Sequence, residues 1–192
     1  MTTSEKKIKF GTDGWRGIIA DDFTYANLSK LAVRIAEYIS SRGNSVSVGY
    51  DNRFISPEYA EFFAAVLEKK GVKVDLSDQP VPTPAVSRRV KETKSSLGVM
   101  ITASHNSAVY NGIKIKENYG GSARGELVKV IVESINETEA DFDIDSSIYS
   151  GEKNSWIESY TEKISAALPA GDLTVAVDYM HGSASPYFKD II

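Results

Sequence analysis

The chain has 192 residues, 42% of them hydrophobic, with 26 acids against 22 bases and a formal net charge of −4. That length fits one domain or one domain and part of another, and the acidic balance argues against nucleic acid as the partner. There is no cysteine, which excludes a disulfide framework and a thiolate metal site. The first residues are polar, no apolar run approaches the ~20 residues that span a bilayer, and a cytoplasmic protein with no membrane partner is expected.

Ile8–Phe10 reads as a short strand. Gly11-Thr-Asp-Gly-Trp-Arg-Gly17 follows, with three glycines in seven residues. Such a loop lets the backbone approach a ligand closely at Gly14, and Arg16 within it carries a planar fork of donors suited to phosphate. The same spacing also describes a glycine turn with one surface arginine.

Thr24 is placed to cap a helix, with Leu28, Leu31, Ala32, Ile35 and Ile39 recurring at helical spacing and Gly43 ending it. Ser45–Tyr50 reads as a strand. The loop Asp51–Ser56 follows, and Asp51 and Arg53 are expected to form an ion pair that braces it. Ser56-Pro57 opens a helix whose buried face is Tyr59, Phe62, Phe63, Val66 and Leu67. Val72–Leu76 reads as a third strand. Gln79-Pro-Val-Pro-Thr-Pro84 is expected to be a rigid turn, with Thr83 capping a helix over 85–93.

The apolar run Leu97–Ile101 reads as a buried strand and Gly112–Lys116 as a second, with a polar loop between them that holds Ser104, His105, Asn106 and Asn111. A rigid sheet presenting a free polar loop is where α/β proteins place their chemistry. A serine hydroxyl is a weak nucleophile that needs help. His105, its neighbour in an extended segment, points to the other side, and there is no G-x-S-x-G elbow. Lys114 shares a face with Lys116, and if the two strands pair, its charge favours an anion at Ser104. A phosphoserine there would suit Arg16 and Lys114. The pattern equally fits an Asn/Ser-rich hairpin loop with solvated lysines.

Arg124–Asn136 reads as a helix, and 141–151 as an acidic connection. Trp156, Tyr160, Ile164 and Leu168 mark another helix. Leu173–Asp178 reads as a strand and Pro186 as the start of a helix. The alternation of strands and helices predicts a three-layer α/β/α domain with a mixed, mostly parallel sheet. The expected division is a domain over 1–150, a connecting helix over 151–172 and, over 173–192, the truncated start of a second α/β domain.

Thr102-Ala-Ser-His-Asn106 followed by Tyr110-Asn-Gly-Ile-Lys114 resembles the phosphoserine signature of the α-D-phosphohexomutases, the phosphoglucomutase/phosphomannomutase family. Phe10–Gly17 is similar to the N-terminal loop of that family, Gly49-Tyr-Asp-Asn-Arg53 to its G-x-D-x-R segment, and Pro82-Thr-Pro84 to its T-P turn. Val177-Asp178 with His181-Gly182 is similar to the start of its second domain. The resemblance implies that Ser104 carries a phosphate, passes it to a hexose 1- or 6-phosphate and recovers the other phosphate of the bisphosphate. It implies that Arg16 and Lys114 stabilise the transferring group, with Lys114 or His105 assisting proton transfer. It further implies that Thr102, Asn106, Asn111 and Gly14 bind substrate or phosphate. Mg²⁺ would bridge phosphorylated Ser104 and a second-domain D-G-D-x-D-R loop, and a hexose 1,6-bisphosphate would act as activator.

The chain departs from the family pattern in carrying Ser107-Ala-Val109 where proline usually follows the S-H-N triplet, and it has no D-G-D loop. The expectation is therefore the catalytic-serine domain of a four-domain mutase, whose partners are the hexose phosphate and the remaining domains, and which is inactive alone. The alternative is a natural short paralogue that binds sugar phosphate or a mutase partner without catalysis.

Overall fold

A computed structural model describes residues 8–11, 14–133, 135–140, 149–169, 171–172 and 174–191. Its elements are β1 (Trp15–Ile18), α1 (Tyr25–Ile39), β2 (Ser45–Tyr50), α2 (Ser56–Lys69), β3 (Lys73–Ser77) and α3 (Thr83–Thr93). They continue with β4 (Leu97–Ile101), β5 (Tyr110–Glu117), α4 (Gly125–Val132), β6 (Lys153–Asn154) and α5 (Ile157–Ser165). The strands form one mixed sheet in the order β1-β5-β4-β2-β3-β6. The pairs β4/β2, β2/β3 and β3/β6 are parallel; β5 is antiparallel to both β4 and β1.

Strand alternation sends side chains to two helical layers. Val46 and Val48 of β2, Val99 and Ile101 of β4, and Ile113 and Ile115 of β5 join α1, α2 and α4 in the larger core. On the opposite face Met100 packs with Val86 and Val90 of α3 and with Trp156 at the start of α5. Gly49 of β2 faces this second layer, where a Cβ would lie 2.7 Å from Val86 and 3.2 Å from Trp156. The expected α/β/α layering and mixed sheet are present.

Local signals place the helix ends. Thr24 Oγ1 accepts from Asn27 N–H at 3.2 Å, capping α1 as its sequence predicts. Gly43 beyond α1 and Gly71 beyond α2 have φ of +99° and +77°, the left-handed region that ends helices. Thr83, by contrast, lies inside α3, which is preceded by Pro82 with no side-chain cap. Pro84 in the first turn lacks an N–H that would need one.

Four expectations change. Ile8–Phe10 is not a strand. Gly11 N–H donates to Gly14 O at 2.8 Å, and the extended chain begins only at Trp15, where β5 supplies its hydrogen-bonding partner. β1 therefore lies within the stretch read as a glycine loop. The tail also differs, since residues 174–178 form no strand, and Leu173 lies outside the described residues. No strand pairs with 174–178 among the described residues, and Val175 and Val177 are exposed, so nothing satisfies a ladder. Past Pro186 there is only a 3₁₀ turn, Phe188–Asp190, rather than an α-helix. The fourth change is β6, which no sequence signal announced. It extends the sheet at 153–154, past the stretch 141–151 read as an acidic connection and within the segment 151–172 expected as a connecting helix, while 141–148 lies outside the described residues.

Candidate active site

The polar loop between β4 and β5 opens at the carboxyl end of the parallel strands, beside the loop that follows β2. Sites of open α/β sheets form in this crevice. A cleft of about 780 Å³ lies there. Ser104, His105 and Asn106 line it from one side, Arg53 and Thr83 from another, and His181 from the tail. The chain has two histidines, and both border this cleft.

Ser104 is exposed and has φ +59°, a left-handed conformation that costs a non-glycine residue about 1 kcal/mol. Hydrogen bonds hold it there. Its N–H donates to Thr102 Oγ1 (2.9 Å), and that hydroxyl donates to Asp51 Oδ2 (2.6 Å). Its carbonyl accepts from Arg53 Nη2 at 2.9 Å. Asp51 is a hub, for its Oδ1 also accepts from Arg53 N–H (3.0 Å) and Ser56 Oγ (2.9 Å). The expected Asp51–Arg53 ion pair is present, with Nε 3.5 Å from Oδ2. Its sequence reading was incomplete, because the guanidinium also reaches the Ser104 loop.

The other expected site residues fall into two groups. Arg16, on β1, is drawn to the loop by Asn106, whose Oδ1 accepts from Nη1 at 2.6 Å. His105 is exposed at the cleft. Lys114 stands opposite Met100 in the β4/β5 ladder, and Met100 lines the cleft. Lys114 and Lys116 are 9% and 8% exposed, so they are buried on the sheet rather than solvated.

Asn111 and Thr102 act from beneath. Asn111 is fully buried, donates to Ser56 Oγ at 2.9 Å and accepts from Gly112 N–H. Through Ser56 and Asp51 its side chain is linked to the loop. Gly14, at φ +105°, crosses β5 so closely that a Cβ would lie 2.1 Å from Ile113 O and 3.2 Å from Lys114 Cα. Ser56 is the link missed in the sequence, where it signalled only a helix start. Its neighbour Ile55, at φ 61°, turns the chain so that Ser56 meets Asp51 on one side and Asn111 on the other. Thr12 and Asp13 of the glycine loop lie outside the described residues.

The tail is brought to the cleft by two contacts. Asn52 Nδ2 donates to His181 O at 3.1 Å, and the Tyr187 hydroxyl donates to Pro80 O at 2.7 Å. Burial, with Asp78 adding to it, raises the Tyr187 phenol pKa above its ordinary value, which keeps it a donor.

These features define a class: an α/β/α domain that presents Ser104, in a left-handed backbone, at a cleft also lined by Arg53, His105 and His181. Comparison with known proteins gives that class a family. Residues 7–142 match the model of phosphoglucomutase/phosphomannomutase, alpha/beta/alpha domain I. The chain belongs to the phosphoglucomutase/phosphomannomutase family, and this region is its domain I. It is 31% identical over 206 residues to a phosphoglucomutase of Staphylococcus haemolyticus, covering 98% of this chain and 37% of the relative. A phosphoglucomutase of Staphylococcus aureus USA300 is 30% identical over 207 residues, with the same two coverages.

Among solved structures, a Thermus thermophilus protein described as a phosphomannomutase superposes with a TM-score of 0.78 at 36% identity. That match covers 86% of this chain and 37% of that one. The open form of parafusin, a phosphoglucomutase from Paramecium, shares the fold at 18% identity, with a TM-score of 0.74 over 97% of this chain and 42% of that one. The chain thus spans little more than a third of the length of the relatives it matches.

Proposed function

We propose that Ser104 is the phosphoryl carrier of a phosphohexomutase acting on glucose or mannose phosphate. The observation that carries this reading is the conformation of Ser104: an exposed hydroxyl on a cleft, in a left-handed backbone held by Thr102, Asp51 and Arg53. Strain at one polar residue, over-determined by its surroundings, is characteristic of functional positions.

In the proposed reaction the Oγ–P bond of phosphorylated Ser104 breaks. A new P–O bond forms to a free hydroxyl of the hexose monophosphate, that hydroxyl loses its proton to a base, and the departing Ser104 Oγ takes up a proton. His105 and Lys114 are the candidates for the base. The bisphosphate turns over in the cleft; the sugar O–P bond of its other phosphoryl group breaks, the group returns to Ser104 Oγ as that hydroxyl gives up its proton, and the sugar oxygen takes a proton up. Arg16 serves as the guanidinium that meets the transferring group, exchanging Asn106 for phosphate oxygen. Such transfers depend on positioning and charge stabilisation rather than on covalent chemistry by the protein.

Mg²⁺ belongs to this proposal, and the residues fit one side of its site. A phosphoryl group on the exposed Ser104 supplies hard oxygen donors of the kind Mg²⁺ prefers. The Asp51 carboxylate is occupied by Thr102, Ser56 and Arg53. No cluster of three His, Cys, Asp or Glu suited to a metal occurs among the described residues. The remaining ligands would come from outside the described residues, and since the sequence carries no D-G-D loop, turnover by these 192 residues alone is not expected. Bound there, the ion neutralises charge on the transferring group.

The test uses the protein as its cells make it, first stripped of any serine phosphate with a phosphatase and then incubated with Mg²⁺ and glucose or mannose 1,6-bisphosphate. Intact mass should rise by one phosphoryl group in the wild-type protein and not in Ser104→Ala. A chain that binds the sugar phosphate and never gains the group would instead be a binding module.

A further inference from the structure

We propose that Arg53 is the positioning residue of the Ser104 loop, fixing the backbone from which the serine reacts; this rests on Ser104 being the carrier. The Arg53 guanidinium donates to four main-chain carbonyls. Nη1 reaches Ser107 O (2.8 Å) and Tyr110 O (3.0 Å), and Nη2 reaches Ser104 O (2.9 Å) and Asn106 O (2.5 Å). These four acceptors run from the serine to the first residue of β5. The remaining donor, Nε, faces Asp51 Oδ2.

The arrangement closes on itself at Ser104. Its carbonyl is held by Arg53, and its N–H is held by Thr102, whose hydroxyl is held by Asp51. Both main-chain polar groups of the serine therefore end on the same Asp51–Arg53 pair. Otherwise the loop has short turns of its own, Asn106 N–H to Ala103 O and Tyr110 N–H to Ser107 O at 3.1 Å each. Among the described residues its further outside ties include Arg16 to Asn106 and Ile19 N–H to Val109 O. Neither of these ties touches Ser104.

A planar five-donor fork can serve four carbonyls at once, whereas a lysine ammonium has one nitrogen and three donors. With its donors committed to the loop, Arg53 acts on Ser104 through the backbone and leaves phosphate binding to other groups. This separates it from Arg16, whose partner is a single side-chain amide.

The test compares wild type, Arg53→Gln and Arg53→Lys in the protein as its cells make it, each stripped beforehand of any serine phosphate with a phosphatase. Amide hydrogen exchange is read peptide by peptide, alongside the rate of phosphoryl gain at Ser104 from glucose 1,6-bisphosphate. Arg53→Gln is expected to speed exchange over 104–110 by about tenfold while β2 and β4 stay protected. Phosphoryl gain should slow by a similar factor. Arg53→Lys should restore neither fully. A low concentration of guanidinium chloride, but not sodium chloride at equal ionic strength, should restore both in Arg53→Gln.

Unchanged exchange over 104–110 in Arg53→Gln would overturn the proposal, as would full recovery in Arg53→Lys. If Arg53→Gln loses protection throughout the chain, Arg53→Lys decides by whether its acceleration is confined to the loop. Failure of the wild-type protein to take up phosphate would overturn the carrier reading instead, while exchange would still judge Arg53.

Discussion

Arg16 Nη1 donates to Asn106 Oδ1 at 2.6 Å, across 90 residues of sequence. This bond ties edge strand β1 to the serine loop and keeps a guanidinium beside the cleft before any ligand arrives. Asn106→Ala is expected to cost about 1 kcal/mol, below the range of roughly 1.5–3 kcal/mol for a bond to a charged group because the pair is partly solvated. Urea unfolding reads this directly. A loss above about 3 kcal/mol would mean that Asn106 supports more than one bond.

Gly112 shows how tightly that edge is packed. A Cβ on it would lie 2.6 Å from Thr102 O and 2.7 Å from Trp15 O, both of them backbone atoms. Gly112→Ala should therefore destabilise by roughly 1–3 kcal/mol or more, with near-native stability counting against the close packing. Gly125, in the first turn of α4, has nothing within 4 Å of the same construction and no positive φ. Gly125→Ala should be neutral or stabilise by roughly 0.4–1 kcal/mol.

Trp156 joins α5 to the sheet. It is 1% exposed and packs on Val81, Val86 and Met100. Its Nε1 faces Asp75 Oδ1 at 3.4 Å, and Asp75 also accepts from Arg89 and Asn154. Trp156→Ala should cost about 3–5 kcal/mol, and Trp156→Phe distinctly less because most of the apolar contact survives. Equal losses in the two variants would place the energy in the polar bond instead.

Glu117 provides a pH signature. Arg124 donates to its carboxylate through Nε (3.0 Å), Nη2 (2.7 Å) and the backbone N–H (2.8 Å). Those hydrogen bonds lower the Glu117 pKa against the opposing effect of burial. A folded-state pKa below the unfolded one stabilises fully above the unfolded value, about 4.3 for glutamate. The contribution is lost as pH falls through the folded pKa. The Tm difference between wild type and Glu117→Gln should be present at neutral pH and shrink as pH drops below that value. A difference independent of pH would contradict the pairing.

Most of the scaffold was legible because its signals are local. The spacing of Leu28, Leu31, Ile35 and Ile39, the Thr24 cap and the apolar Leu97–Ile101 run each lie within one element. β1 was hidden because Trp15–Ile18 is short, follows Gly14 and contains Gly17, and only pairing with β5 makes it extended. β6 has two residues and exists because β3 offers an edge. The serine loop was legible as a motif, but its support was not. That Arg53 reaches the carbonyls from Ser104 to Tyr110 depends on β2 and β4 lying side by side in register, which no spacing along the chain encodes. Asn111 looked like a loop residue, yet the register of β5 places it in the interior.

The most direct measurement is the state of Ser104 in the protein isolated from the cells that make it, read by fragmentation of its peptides in a mass spectrometer. A phosphoryl group on Ser104, and on no other serine of the loop, is the predicted result. Ser104 found unmodified both as isolated and after incubation with hexose 1,6-bisphosphate and Mg²⁺ would contradict its role as the phosphate carrier.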